Sequence, residues 1–238
     1  MTQNVSDLMR KCVKKQWIIR DILPEGLSVL SGKPFIGKSW LALNIVVAVS
    51  NGWTVLNRKV ERKPVYYFSL LNDERRLQSR LKKIIGNRTL EYDFIYNLSA
   101  DTSSFFQILD VWMRNIKGER PLIVVDTLDI LLCGKTKKVD FPLRALDFSL
   151  EHNASILLLT NKYLHKNDCS KLFSNIMDSA IIDTSLMLER KRLTTNADLL
   201  INNRYLGKLV YKVRFNETTF LWDLITKTPE KIKELQLV

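Results

Sequence analysis

Cysteine and histidine are rare in this chain of 238 residues, and acidic residues are outnumbered by basic ones. The three cysteines lie far apart with no C-x-x-C pair, so neither a disulfide framework nor a cysteine zinc site is expected. Two histidines are too few for a histidine-built metal centre. No apolar run approaches the roughly 18 residues of a membrane helix, and no signal-peptide core is visible. We therefore expect a protein of the reducing cytoplasm that has no membrane partner.

The excess of positive charge bears on the partner. Lys and Arg number 37 against 25 Asp and Glu, which gives a formal net charge of +12. Such an excess favours a polyanion, with nucleic acid ahead of an acidic membrane surface. Charge alone leaves open a soluble protein whose surface is simply basic.

Short apolar strands alternate with helices through the first two thirds of the chain. The patterns predict strands at 27–30, 65–70, 94–98, 122–125 and 154–159, and helices at 39–50, 74–85, 104–115 and 141–152. Wholly apolar strands joined by helices are typical of a parallel sheet covered on both faces. After residue 180 the predicted strands at 180–188, 199–202, 208–215 and 219–224 suggest an antiparallel extension of the sheet edge. We divide the chain into a helical or irregular arm (1–24), one α/β domain (25–226) and a tail (227–238).

The strongest motif spans residues 32–39, Gly-Lys-Pro-Phe-Ile-Gly-Lys-Ser, which match G-x-x-x-x-G-K-[ST] between a predicted strand and a predicted helix. In such a loop, backbone N–H groups curl around a phosphate at the helix N-terminus. Lys38 would reach the β- and γ-phosphates, and Ser39 would hold Mg²⁺. A fortuitous glycine turn that caps a helix is the alternative. The expected nucleotide contacts are Gly32, Pro34, Phe35, Ile36, Gly37, Lys38, Ser39 and Trp40.

A second oxygen ligand for Mg²⁺ is expected at the end of a neighbouring strand. Asp126 directly follows the apolar run at 122–125 and fits this role. The predicted cofactors are therefore ATP and Mg²⁺. An aspartate that only caps the following turn is the alternative.

Several segments resemble the RecA-type ATPase core of the RepA-like hexameric helicases of plasmids, which are related to the DnaB and KaiC ATPases. The resemblance covers about residues 16–225 and rests on the P-loop and on segments 17–26, 51–67, 75–81 and 179–184. It implies a RecA-like P-loop NTPase core, with a mostly parallel sheet flanked by helices and an antiparallel C-terminal edge. It also implies a replicative DNA helicase of a plasmid or other mobile element. Such an enzyme acts as a homo-oligomer, expected to be a hexamer, on single-stranded DNA together with replication proteins.

The chain departs from this family at the catalytic glutamate, which closes the second core strand and polarises the attacking water. The matching position is Leu71, and leucine cannot act as a general base. Asp73 or Glu74 would replace the glutamate only if the strand end were shifted. The other common arrangement, an acid directly after Asp126, is absent because Thr127 stands there.

The resemblance implies further contacts to the γ-phosphate. Thr160 and Asn161 occupy the place of a polar γ-phosphate sensor, where relatives often carry histidines. Ring-forming relatives present a Lys-x-Arg pair to the neighbouring subunit's nucleotide, and here the segment reads Asn202-Asn203-Arg204. Arg204 would then stabilise γ-phosphate charge in trans, with a role in catalysis beside Lys38 and Asp126. A solvated turn residue is the alternative for Arg204.

A polar loop after Asn161 is the expected DNA contact, because in RecA-like ATPases this loop faces the ring channel. Lysines that follow the phosphate backbone suffice for sequence-independent binding, and Tyr163 could stack on a base. A flexible solvated loop is the alternative. The basic residues of segments 58–63 and 75–83 are expected to form an exposed loop and a solvated helix face, and a contact with nucleic acid is the alternative. The candidate DNA contacts are Lys162, Tyr163, His165, Lys166 and Lys171.

Two functional hypotheses follow, and a third is weaker. In the first, a Mg-ATP-dependent motor moves a single strand through successive ATP cycles. In the second, the protein binds ATP but hydrolyses it very slowly, since loss of a general base costs about 10²–10⁴-fold, and ATP serves as an assembly switch on DNA. In the third, the oligomer is a regulator that binds protein partners and not DNA.

Overall fold

The computed structural model describes residues 16–116, 118–132, 140–161, 181–191, 194–226 and 228–231, together with Val5 and Met9. The five candidate DNA contacts between residues 162 and 171 lie outside the described residues, as do most of the predicted arm and tail. Among the described residues, no helix is both long and apolar enough to cross a membrane.

Strands and helices alternate through most of the described chain. The strands are β1 (Trp17–Ile19), β2 (Leu23–Pro24), β3 (Gly26–Ser31), β4 (Thr54–Val55), β5 (Arg58–Lys59), β6 (Val65–Ser69), β7 (Ile95–Asn97), β8 (Leu122–Asp126), β9 (Ser155–Leu159), β10 (Thr184–Arg190), β11 (Asn196–Asn203), β12 (Gly207–Phe215), β13 (Trp222–Leu224) and β14 (Glu230–Lys231). The helices are α1 (Lys38–Asn51), α2 (Glu74–Ile85), α3 (Phe105–Met113), α4 (Leu128–Leu131) and α5 (Asp140–His152).

A 10-stranded sheet forms the centre of the domain, in the order β13-β12-β11-β10-β3-β9-β8-β6-β7, with β14 beside β12. The six strands from β10 to β7 pair in parallel. Strands β11 to β14 extend the β10 edge in antiparallel pairs. The predicted fold class, a mostly parallel RecA-like sheet flanked by helices with an antiparallel C-terminal edge, is confirmed.

Side chains alternate between two apolar layers along the central strands, as the period of a strand requires. In β8, Leu122 and Val124 pack with α1 and α2, whereas Ile123 and Val125 pack on the opposite face with α3 and α5. Both faces are covered, which is why this strand is apolar throughout. The antiparallel strands β11 and β12 bury only alternate residues, and their sequences alternate accordingly.

Residues 17–24 differ from the helical or irregular conformation expected for the arm. Strands β1 and β2 pair in an antiparallel two-stranded sheet, and Ile18, Ile19, Ile22 and Leu23 are buried in the same apolar cluster as α1. The three-residue turn between Ile19 and Leu23 contains no glycine and no Asn-Gly pair, so the sequence did not predict this pairing.

The parallel central strands bring the predicted phosphate-site residues to one edge. Neighbouring strands β3, β9, β8 and β6 end side by side, followed respectively by the phosphate-binding loop, Thr160, the peptide after Asp126, and Leu70. Crevices at the carboxyl ends of such strands are where open α/β sheets bind ligands.

Candidate nucleotide-binding site

The phosphate-binding loop, residues 32–37, joins the end of β3 to the first turn of α1. Gly37 caps this helix at a φ of 105°, a conformation that favours glycine. A Cβ at Gly37 would lie 2.7 Å from Cζ2 of Trp222, so the loop is in close contact with β13. The indole N–H of Trp222 also donates to the carbonyl oxygen of Gly37 at 3.3 Å. Strand β13, at the antiparallel edge of the sheet, therefore packs against the phosphate-binding loop.

The tip of the loop is exposed while its two ends are anchored. Pro34 and Phe35 are exposed, and Phe35 adopts a φ of 66°. Ile36 is half-buried and packs against the apolar core. Gly32 is buried at the start of the loop, where a Cβ would lie 2.6 Å from the backbone oxygen of Leu188. The backbone between these anchors is open to a ligand.

Lys38 is folded back onto its own loop. Its Nζ donates to the carbonyl oxygens of Gly32 at 2.7 Å and of Lys33 at 2.8 Å. Burial lowers the pKa of Lys38 to about 8, and the negative charges of Asp126 and Asp129 oppose this shift. The ammonium group is thus held by neutral carbonyl groups within the electrostatic reach of two carboxylates. A phosphate would offer it a stronger, charged partner.

Asp126 ends β8 and is 1% exposed. Its Oδ2 accepts a hydrogen bond from the hydroxyl of Tyr67 at 2.9 Å, and the side chain of Ser39 is also hydrogen-bonded to the carboxyl group. Burial raises the pKa of Asp126, whereas the hydrogen bonds from Ser39 and Tyr67 lower it. The positive charges of Arg80 and Lys38 act in the same direction as these hydrogen bonds.

Mg²⁺ fits the pair formed by Ser39 and Asp126. Hydroxyl and carboxylate oxygens are ligands that Mg²⁺ accepts, and it keeps further positions for phosphate and water. Among the described residues, no group of three or more His, Cys, Asp or Glu side chains is placed to hold a metal ion. A Mg²⁺ ion at this pair would therefore depend on nucleotide phosphates for additional ligands.

Thr160 and Asn161 follow β9, which lies between the strand of the phosphate-binding loop and the strand of Asp126. The hydroxyl of Thr160 donates to Oδ1 of Asp129 at 3.1 Å. The backbone N–H of Asn161 donates to Oδ2 of Asp129 at 2.8 Å. Asp129 was not expected as a site residue, because no spacing rule links the fourth residue of Asp-Thr-Leu-Asp to a phosphate site.

Leu71 lies two residues beyond the end of β6 and is 46% exposed. The two nearby carboxylates, those of Asp73 and Glu74, lie at the start of α2. Asp73 caps α2 and accepts the backbone N–H of Arg76 at 2.7 Å, and Glu74 is exposed in the first turn of this helix. The geometry thus assigns Asp73 to helix capping and leaves an aliphatic side chain where the resemblance places a general base.

A cavity of about 450 Å³ opens beside Leu71 and Trp40, next to the start of α1. Trp40 is half-buried, and its ring lies 4.9 Å from that of Phe220. The cavity carries an excess of positive charge, which suits an anionic ligand. Its polar and charged lining residues are Asp73, Arg75, Arg76, Ser79, Arg80 and Lys83.

Arg80 belongs to the site although sequence reasoning placed it only in a basic cluster. Its guanidinium group lies 5.4 Å from the ring centroid of Trp40, and its charge lowers the pKa of Asp126. The available signal was the i, i+4 spacing of Arg76 and Arg80, which puts both on one face of α2.

Arg204 does not join the phosphate-binding loop of its own chain. It lies in the turn after β11, where its backbone N–H donates to the carbonyl oxygen of Asp183 at 3.1 Å, just before β10 begins. Because β10 and β3 are parallel, this is the amino end of β3, and the loop follows the carboxyl end. Asp183 is level with Leu27, and the five residue steps from Leu27 to Gly32 span about 16 Å along the strand.

Comparison with known proteins agrees with the fold and the loop. Residues 1–139 match the family described as AAA domain, AAA_25. The chain belongs to this family. No curated protein sequence matched the chain.

Three solved structures share the fold. A KaiC-like protein from Pyrococcus horikoshii aligns with a TM-score of 0.60 at 14% identity, over 88% of this chain and 94% of that one. A DnaB-like replicative helicase, solved to show its interactions with primase, aligns with a TM-score of 0.61 at 11% identity, over 84% of this chain and 57% of that one. A third structure, described as an ATPase domain, aligns with a TM-score of 0.62 at 12% identity, over 85% of both chains. At these identities the likeness concerns the fold.

Proposed function

We propose that this protein binds Mg-ATP in the loop at residues 32–39, hydrolyses it slowly, and uses the bound nucleotide to control its assembly on single-stranded DNA. The observation that carries the proposal is the combination of a buried Lys38 and Asp126 with Leu71 in the place of the general base. The first two residues supply phosphate and metal binding. The third removes the group that activates water.

The steps of nucleotide binding follow from the residues present. Backbone N–H groups of the loop and the N-terminus of α1 would receive the phosphates. The Nζ of Lys38 would exchange the carbonyl oxygens of Gly32 and Lys33 for phosphate oxygens. The hydroxyl of Ser39 and the carboxylate of Asp126 would hold Mg²⁺, which neutralises phosphate charge when bound. Arg80, in reach of Asp126 and Trp40, would add positive charge on the same side.

An oligomer is part of the proposal because Arg204 lies about 16 Å along β3 from its own loop. Only the nucleotide of a neighbouring copy would come within its reach. Relatives of this fold include a DnaB-like replicative helicase, and the net charge of +12 favours a polyanionic partner. These observations support a ring, expected to be a hexamer, on single-stranded DNA, in the manner of a RepA-type plasmid protein with replication partners.

An active motor is the second candidate function. The placement of Arg204 favours it, because an arginine supplied in trans is of most use where a phosphoryl group is transferred. The two candidates make different demands on turnover. The motor requires DNA-stimulated hydrolysis, and the assembly switch requires only that ATP stays bound.

The test is nucleotide binding followed by single-turnover hydrolysis. We expect Mg-ATP to bind the wild type, Lys38→Ala to lose at least about 100-fold in affinity, and the exposed Lys59→Ala to behave as the wild type. Hydrolysis by the wild type should stay near background with and without single-stranded DNA. Brisk DNA-stimulated hydrolysis would favour the motor, and equal affinities of wild type and Lys38→Ala would overturn the nucleotide site.

A further inference from the structure

A single carboxylate, that of Asp129, links the ends of two neighbouring strands at the candidate site. Its Oδ1 accepts the hydroxyl of Thr160 at 3.1 Å, and its Oδ2 accepts the backbone N–H of Asn161 at 2.8 Å. Both residues follow β9. Oδ2 also accepts the hydroxyl of Thr127 at 3.0 Å, and Thr127 comes directly after β8.

Asp129 is itself held in place by its own helix. Thr127 caps α4, and its Oγ1 accepts the backbone N–H of Asp129 at 3.1 Å. The hydroxyl of Thr127 therefore bonds both the backbone and the carboxylate of Asp129. The Asp129 side chain has only two rotatable bonds, and three hydrogen-bond donors hold its carboxylate in one orientation. We call this carboxylate, with its hydrogen bonds to Thr160 and Asn161, the clamp.

The clamp lies beside the phosphate-binding loop. The backbone N–H of Thr160 donates to the carbonyl oxygen of Leu30 in β3 at 3.0 Å, so the end of β9 is tied to the strand that leads into the loop. The negative charge of Asp129 also raises the pKa of Lys38, against the larger effect of burial. Asp129 thus links the ends of β8 and β9, and the backbone of Thr160 links the end of β9 to β3.

We infer that Asp129 is a positioning residue that holds the residues after β9 so that the side-chain amide of Asn161 distinguishes ATP from ADP. This role rests on the proposed function, since it supposes that a nucleotide occupies the loop. It has a specific consequence. Loss of the clamp should reduce the preference for the nucleotide with a third phosphate, because the α- and β-phosphates would be held mainly by the backbone N–H groups of the loop, which Asp129 does not bond.

Two variants distinguish the hydrogen bonds of Asp129 from its negative charge. Asp129→Ala removes every acceptor of the clamp. Asp129→Asn keeps the shape and one acceptor oxygen for the N–H of Asn161, and its amide nitrogen can donate to the hydroxyl of Thr160, which is free to rotate. The exposed Asp147 of α5 provides a matched control, Asp147→Ala.

The experiment measures the affinities for ADP and for a non-hydrolysable ATP analogue, together with hydrogen exchange at the Asn161 amide. For Asp129→Ala we expect the ratio of ATP-analogue to ADP affinity to fall about tenfold, with ADP affinity nearly unchanged and faster exchange at Asn161. Asp129→Asn should retain most of the preference for the ATP analogue over ADP and most of the protection of the Asn161 amide from exchange. A residue that served only overall stability would weaken both nucleotides alike.

An unchanged ratio in Asp129→Ala would overturn the inference. The inference would also be overturned if Asp129→Asn lost the preference for the ATP analogue while the Asn161 amide stayed protected. The charge of Asp129, and not the position of the residues that it holds, would then explain the preference. These outcomes differ from failure of the proposed function. In that case the wild type itself binds neither nucleotide, and the positioning role falls with it.

Discussion

The hydroxyl of Tyr67 donates a hydrogen bond of 2.9 Å to Oδ2 of Asp126, across the neighbouring strands β6 and β8. Both side chains are buried, so the bond lies in a medium of low dielectric constant, where it is strong. Burial raises the pKa of Tyr67 well above its ordinary value, and the charge of Asp126 adds to this shift. Tyr67 is therefore a donor at neutral pH and orients one oxygen of the candidate metal ligand.

Tyr67→Phe should raise the Mg²⁺ concentration that ATP binding requires. The substitution keeps the ring and removes the donor, so Asp126 loses one of the hydrogen bonds that orient it. We expect the Mg²⁺ concentration needed for half-maximal ATP binding to rise about 3- to 10-fold. A Mg²⁺ titration at fixed ATP measures this, with the exposed Tyr96→Phe as the control. Identical titration curves for the two variants would show that Tyr67 does not orient the metal ligand.

ATP affinity should fall as the pH rises through about 8. The pKa of Lys38 is lowered to about 8, chiefly by burial, so in the free protein its cationic form is complete below that value and is lost above it. Bound phosphate favours the cation. Affinity should be constant near pH 7 and should decrease by up to about tenfold per pH unit above pH 8.

Equilibrium binding of ATP between about pH 6.5 and pH 9.5 measures this decrease. Lys38→Arg, which stays charged throughout this range, should bind with no such decrease even if its affinity is lower. If the ATP affinity of the wild type stayed constant over this pH range, Lys38 would keep its proton throughout and burial would not lower its pKa to about 8.

Leu71→Glu should restore hydrolysis if the missing carboxylate is what limits turnover. Arg76 and Arg80 line the cavity next to Leu71 and would hold an introduced carboxylate in its ionised form. We expect single-turnover hydrolysis to rise about 10²–10⁴-fold, the usual contribution of a general base. Leu71→Gln, which has a similar shape but no base, should stay at the wild-type rate. An equal gain in both variants would point to an effect on structure and not on proton transfer.

Asn44→Ala should destabilise the fold. The Asn44 side chain is buried on α1, where it donates to the carbonyl oxygen of Phe220 at 3.1 Å and accepts the backbone N–H of Trp222 at 2.8 Å. The variant leaves both backbone groups without this partner, at a cost of about 2–3 kcal/mol in the free energy of unfolding. Urea denaturation measures the loss, and the exposed Asn87→Ala is the matched control. A loss below about 0.5 kcal/mol would mean that water or neighbouring groups replace Asn44.

Replacing Lys162, Lys166 and Lys171 by alanine should weaken binding to single-stranded DNA. If each lysine neutralises one phosphate, the slope of log affinity against log salt should become shallower by about 2. Fluorescence anisotropy at several salt concentrations measures it. The control replaces Arg75, Arg76 and Lys82, three exposed cations of α2. A shallower slope in the control alone would place the DNA contact on α2 instead.

Much of the fold was predictable because its signals are local. Apolar runs with a period of two or of 3.6 residues marked the central strands and helices, and α2 has the predicted bounds of Glu74–Ile85. The pairing of β1 with β2 was not predictable, since it depends on burial of Ile18 and Leu23 against α1. The short hairpin of β4 and β5 was missed for a similar reason, because two-residue strands carry no periodicity.

The sequence by itself determined the phosphate-binding loop, the carboxylate at the end of β8 and the leucine after β6. Each of these depends on residue type at a fixed distance from a strand, and strand and loop can be recognised from neighbouring residues. Only the tertiary structure decided which other groups surround Lys38 and Asp126. Tyr67, Arg80 and Asp129 reach the site from three separate segments, and the order of the strands in the sheet brings them together. Such contacts leave no pattern along the chain, because their partners are far apart in sequence and adjacent only after the sheet has formed.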